Sequence, residues 1–154
     1  MQRKNYKTPT SFPDASRLCI GIVVAEFNRD ITEHMLMGAL ATLKKCKVKD
    51  GAITVSRVPG SFEIPFGCLR LLKKKKYDAI IALGCIIKGE TSHDVYIASA
   101  VSRGIMTLSL EHMVPIIFGV ITTNTLRQAI VRSTGEANKG REAALAAVAM
   151  AGVK

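Results

Sequence analysis

His93 lies just beyond the run Gly84-Cys85-Ile86-Ile87-Lys88-Gly89-Glu90-Thr91-Ser92, where an apolar segment gives way to a polar turn and a helical pattern. A helix entered through Gly, Thr and Ser exposes backbone N–H groups and a positive dipole end, which suit a phosphate or another anion. A neutral imidazole in the first turn of that helix can accept a proton near pH 7 and return it. Anion cradle and proton carrier together suit chemistry on a phosphorylated small molecule. Read alone, His93 is equally compatible with a plain surface histidine.

Further polar and aromatic groups fall at the ends of other apolar runs. Phe27-Asn28 offers a stacking face beside an amide, or simply a core-capping aromatic and a turn. Pro59-Gly60-Ser61-Phe62-Glu63 forces a tight turn whose N–H groups could hold hydroxyls; Ser61 also fits an ordinary helix N-cap. Arg132, before Ser133-Thr134-Gly135, is either a forked phosphate clamp or a partner for a helix C-terminus. Lys139 and Glu142 open the last helix and by themselves indicate only a solvated face.

The elements that must position these groups alternate. Apolar runs over residues 17–25, 52–58, 78–87 and 115–122 read as strands. Between and after them, residues 30–46, 61–75, 91–111, 125–132 and 139–151 read as helices. In the first, Ile31, Met35, Leu36, Ala39, Leu40, Leu43 and Cys46 recur at helical spacing; in the second, Phe62, Phe66, Leu69 and Leu72 share a face. Strands and helices alternating over short connections predict an α/β fold with a parallel sheet covered on both faces. Ligands of such sheets bind beyond the C-terminal strand ends, where the polar groups above converge.

Composition bounds the remaining classes. The chain has 154 residues, 48% of them hydrophobic, with no Trp and 5% aromatics, so the core is aliphatic. No run approaches the ~20 apolar residues of a membrane span, and the N-terminus lacks the apolar stretch of a secretory signal. A cytoplasmic protein without membrane contact is expected. Cys19, Cys46, Cys68 and Cys85 stand singly, without metal-ligand spacing, and read as buried thiols; no metal site and no cofactor is expected. The net charge of +10 raises nucleic acid as a partner. The basic residues are scattered, however, and the run at residues 73–76 ends a helix, where cations complement the dipole.

Phe27-Asn28, Val58-Pro59-Gly60-Ser61-Phe62-Glu63-Ile64-Pro65, the run from Ala82 to His93, Pro115-Ile116-Ile117-Phe118-Gly119-Val120-Ile121-Thr122-Thr123 and Asn138-Lys139-Gly140 together resemble lumazine synthase. The resemblance covers roughly residues 17–152, with the motifs in family order. It implies a flavodoxin-like three-layer sandwich on a four-stranded parallel sheet, with residues 17–154 as one domain behind an extended arm at 1–16. It also implies condensation of 5-amino-6-ribitylaminouracil with 3,4-dihydroxy-2-butanone 4-phosphate to 6,7-dimethyl-8-ribityllumazine, phosphate and water. By the same resemblance, Phe27 stacks on the pyrimidine and Asn28 supports it. Ser61, Phe62 and Glu63 hold the ribityl chain, and Cys85, Ile86 and Ile87 present backbone groups to the heterocycle. Glu90, Thr91 and Arg132 hold the phosphate, His93 moves protons, and Phe118 closes the ring pocket from a neighbouring subunit. Lys139 and Glu142 complete the substrate-binding set.

Glu26 beside the stacking aromatic and Asp94 after His93 depart from the common family pattern. The assembly implied is a homopentamer. The short turn before Asn138 leans towards closure into a sixty-subunit shell, with the arm near residues 8–13 adding to a neighbour's sheet edge and riboflavin synthase as a candidate guest. Two rivals are weighed against this reading. One is the related archaeal-type riboflavin synthase; the other is a basic nucleic-acid-binding scaffold on the same fold.

Overall fold

The computed structural model describes residues 11–152. The expectation of an added edge strand near residues 8–13 lies half outside that span. Four strands form one all-parallel sheet: β1 Ile20–Ala25, β2 Ile53–Val58, β3 Ala79–Ile87 and β4 Ile116–Thr123, in the order β2-β1-β3-β4. The helices are α1 Arg29–Lys45, α2 Ile64–Lys74, α3 His93–His112, α4 Leu126–Ser133 and α5 Lys139–Ala151. Short 3-10 turns occupy Asp50–Ala52, Ser61–Glu63 and Gly135–Ala137. The α/β three-layer, flavodoxin-like arrangement expected from the sequence is present.

Two cores sandwich the sheet. Ile20, Ile22, Val24, Ile81 and Leu83 face Met35, Ala39 and Leu43 of α1 and Ala143, Ala144 and Ala147 of α5. Val23, Ala25, Ile80 and Ala82 face Ile64, Cys68 and Leu71 of α2 and Val101 and Ile105 of α3. The central strands β1 and β3 are buried on both faces, which is why they read as unbroken apolar runs. Burying each large aliphatic side chain contributes roughly 1.5–3 kcal/mol. The four cysteines are free thiols, and Cys46, Cys68 and Cys85 are buried.

Three local expectations are corrected. Ser61 does not cap α2: the segment Ser61–Glu63 is a 3-10 turn entered from Gly60, without a side-chain cap, and Ser61 Oγ is buried with no hydrogen-bond partner. The buried face of α2 carries Ile64, Gly67, Cys68 and Leu71, whereas Phe62 and Phe66 are exposed. Apolar residues occupy both sides of this helix, and the sheet covers the side with Ile64, Cys68 and Leu71. Gly67 permits the close approach, since a Cβ there would meet Val23 and Val58 side chains at 2.8 Å. The first strand begins at Ile20 rather than residue 17, because Leu18 N–H turns back to the Ala15 carbonyl.

Candidate functional site

After β1 the chain runs to β2 in one direction, and after β3 it runs to β4 in the other. The crevice between the carboxyl ends of β1 and β3 is therefore the topological switch point. A cavity of about 490 Å³ opens there.

One wall comes from the turn after β1. The β1–β2 pairing continues past the strands, as Glu26 N–H donates to the Val58 carbonyl (2.8 Å) and Phe27 N–H to that of Pro59 (2.9 Å). Phe27 is thus fixed beside Pro59-Gly60, 70% exposed, and lines the crevice. Asn28 adopts a left-handed conformation (φ 59°, ψ 45°), which asparagine tolerates better than most residues. Its carbonyl accepts from Ile31 and Thr32, but its side chain does not cap α1. The freed Nδ2 instead donates to the Cys85 carbonyl at 3.0 Å.

The floor and far wall come from the ends of β2 and β3. Ser61 Oγ packs against Gly84, where a Cβ would lie 2.7 Å from it. Gly60 leaves room for Glu63, since a Cβ there would approach Oε2 to 3.1 Å. Phe62, Glu63, Cys85, Ile86 and Ile87 line the cavity with them. Burial pushes the Cys85 thiol up to about 11, so it stays protonated and is no nucleophile at neutral pH.

The rim is the turn into α3. Gly89, Thr91, His93, Asp94 and Ile97 line it. Among the described residues no partner takes the N–H groups of Gly89, Glu90, Thr91 or Ser92, while His93 N–H meets Thr91 Oγ1 at 3.4 Å. His93 is the first residue of α3 and is exposed. Glu90 belongs to the same turn but does not line the cavity.

Phe118, Lys139 and Glu142 do not reach this crevice. They line a second cavity of about 640 Å³ between β4 and α5, where Lys139 Nζ pairs with Glu142 Oε1 at 2.7 Å. Arg132 lines neither cavity and donates from Nη1 to the Gln128 carbonyl at 3.0 Å, one turn back along α4. Asn138 organises this region: Nδ2 donates to the carbonyls of His34 (2.9 Å) and Ser133 (2.6 Å), and Oδ1 accepts from Gly140 (2.8 Å) and Arg141 (3.3 Å). Among the described residues no cluster of His, Cys, Asp and Glu has metal-holding geometry.

The family described as 6,7-dimethyl-8-ribityllumazine synthase matches residues 17–154. A protein of that name from Parabacteroides distasonis is 51% identical over 141 residues, spanning 91% of this chain and 88% of the relative. One from Phocaeicola vulgatus is 46% identical over 141 residues, spanning 91% of this chain and 84% of the relative. The chain belongs to the 6,7-dimethyl-8-ribityllumazine synthase family.

For a member of the lumazine synthase family, four cavity residues fall outside the set chosen from sequence: Gly60, Gly89, Asp94 and Ile97. Ile97 sits one helical turn after His93, a spacing that could have disclosed it. The glycines contribute space rather than side chains, and only the folded backbone shows where space is needed. Asp94 Oδ1 is buried with no hydrogen-bond partner.

Proposed function

We propose that the chain is a transferase that condenses 5-amino-6-ribitylaminouracil with 3,4-dihydroxy-2-butanone 4-phosphate, giving 6,7-dimethyl-8-ribityllumazine, phosphate and water. The observation that carries the proposal is the convergence of Phe27, the Ser61-Phe62-Glu63 turn, the Cys85-Ile86-Ile87 backbone, Thr91 and His93 on one cavity at the switch point. An exposed aromatic suits a pyrimidine face, a carboxylate and a backbone turn suit a polyol, and unpaired N–H groups suit a phosphate.

The uracil amine adds to the ketone carbon and loses water, forming an imine. Abstraction of a carbon-bound proton then drives the C–O bond electrons out with phosphate. The resulting enol tautomerises to a ketone, which the ribityl-bearing amine attacks, and loss of another water closes the second ring. His93 takes and returns protons through these steps, while the N–H groups at the start of α3 stabilise the departing dianion. Holding two reactive partners together supplies a large share of the acceleration. No cofactor enters the sequence.

The crevice of one chain supplies half of the site in this reading. Phe118, with Lys139 and Glu142 close by, completes it from a neighbouring copy, and Arg132 adds its guanidinium to the phosphate. The exposed apolar side chains of α3, among them Val95, Tyr96, Met106 and Leu110, support self-association. A homopentamer fits, with a sixty-subunit shell as its closed form and riboflavin synthase as the enclosed guest. Residues 17–154 act as one unit behind the arm at 1–16, in the cytoplasm. Among the described residues no helix is long and apolar enough to cross a membrane.

The test is to mix the purified protein with both substrates and follow lumazine fluorescence against a protein-free control. Acceleration is expected. No acceleration by folded protein sinks the proposal, and turnover of lumazine alone would identify a dismutating relative instead.

A further inference from the structure

Asp94 stands on the inner face of α3. Ile97, Val101 and Ile105 recur there at helical spacing and pack into the core on that side of the sheet. Asp94 falls one turn before Ile97 on the same stripe, where the stripe passes the end of the sheet and borders the crevice at the switch point. His93, its neighbour, lies at the side of this stripe and is exposed.

Helix polarity does not account for this placement. An acid in the first turn offsets the positive end of α3, and an exposed carboxylate would do so equally well. Asp94 is instead half-buried, with Oδ1 buried and without a hydrogen-bond partner. Among the described residues nothing hydrogen-bonds to Oδ2 either, and no cation forms a salt bridge with the group. Sealing Oδ1 against protein costs free energy and holds the carboxylate in one orientation. Its other edge is left to the cavity that Asp94 lines. An ionised carboxylate only accepts hydrogen bonds, so the ligand beside it must bring a donor.

The substrates of the proposed reaction narrow that donor to one group. Glu63, the other carboxylate of the cavity, belongs to the turn after β2 and to the polyol. Asp94 shares the rim with Thr91 and His93, the residues given to phosphate and to proton transfer. The phosphate-bearing ketone carries a single hydroxyl, on C3, while its carbonyl and phosphate dianion only accept. A carboxylate beside an anion cradle is unfavourable by charge, and a hydrogen bond from that hydroxyl offsets the repulsion.

Resting on the proposed reaction, we infer that Asp94 determines specificity for a phosphomonoester with a hydroxyl next to its ketone. Oδ2 accepts from the C3 hydroxyl and turns the C3–H bond towards His93. The same charge disfavours a bare phosphate in the site.

Steady-state kinetics and titration calorimetry on the full-length protein test this, with butanone phosphate and inorganic phosphate as probes. Asp94→Ala should raise KM for butanone phosphate about tenfold or more and lower kcat, with KM for the uracil unchanged. Asp94→Asn keeps the shape and one acceptor oxygen, so it should lose less. Inorganic phosphate lacks the hydroxyl and should bind Asp94→Ala as tightly as wild type, or tighter. A variant that binds inorganic phosphate more weakly has a damaged site, which overturns the inference. Wild-type KM and kcat in both variants overturn it while the proposed reaction stands. If wild type forms no lumazine, that reaction fails and calorimetry decides for Asp94. A preference for butanone phosphate over inorganic phosphate that vanishes in Asp94→Ala upholds the inference; no such preference in wild type overturns it.

Discussion

Asn28 Nδ2 donates to the Cys85 carbonyl over 3.0 Å, tying the turn after β1 to the end of β3 across the switch point. The bond sets the width of the crevice and aims the β3 backbone that lines it. Two demands meet at one residue, a left-handed backbone and an amide donor. Asn28→Gly keeps the first and loses the second; Asn28→Ala loses both. Urea unfolding should rank them with alanine the less stable, glycine costing about 1 kcal/mol and alanine a further ~1 kcal/mol. The reverse order would refute the linkage.

His93→Ala should slow lumazine formation by ~10²-fold without abolishing it, because positioning of the two substrates persists. His93 is exposed at the start of α3 and outside both cores, so the melting temperature should barely move. A wild-type rate in steady-state assays would remove His93 from the mechanism.

Gly84→Ala places a methyl 2.7 Å from Ser61 Oγ and 2.8 Å from Ile64 Cδ1. Overpacking of this kind costs about 1–3 kcal/mol and pushes the Ser61 turn into the crevice. Loss of stability together with a raised KM for the uracil substrate is expected. Unchanged kinetics would show that the floor can yield.

Asn138→Ala breaks four hydrogen bonds at once, removing a donor from the carbonyls of His34 and Ser133 and the acceptor of the Gly140 and Arg141 N–H groups. The loss should reach about 3 kcal/mol or more in denaturant titrations, far above a surface substitution. A cost below ~1 kcal/mol would mean that water replaces the amide freely.

Burial raises the thiols of Cys46, Cys68 and Cys85 above their ordinary value, Cys68 to about 12 and Cys85 to about 11. A group whose pKa is raised by folding contributes stability fully below its unfolded pKa and loses it as pH rises through the folded value. For a thiol that loss starts near pH 9 and continues towards 11–12. Wild type should therefore lose stability relative to Cys68→Ala as pH climbs above 9. Parallel profiles for the two proteins would exclude the linkage.

Much of this molecule could be read in the chain because its signals are local. Runs such as Ile20–Ala25 and Ala79–Ile87 are apolar on both faces, which only a doubly covered parallel strand requires. The polar groups at their ends therefore had to meet at one edge of the sheet, and Phe27, Ser61, Glu63, Thr91 and His93 do. The face of α2 was not legible, because Phe62 and Phe66 on one side compete with Ile64, Cys68 and Leu71 on the other. Sequence spacing counts apolar positions but cannot say which set the sheet will cover.

The separation of Phe118, Lys139 and Glu142 from the first crevice was equally hidden in spacing, since it depends on how α5 crosses β4. So was the stranded oxygen of Asp94. Strand order, crevice depth and unpaired polar atoms arise from contacts between residues far apart in the chain. Periodicity and turn chemistry determined the elements and their sequence; long-range packing alone decided which side chains share a cavity.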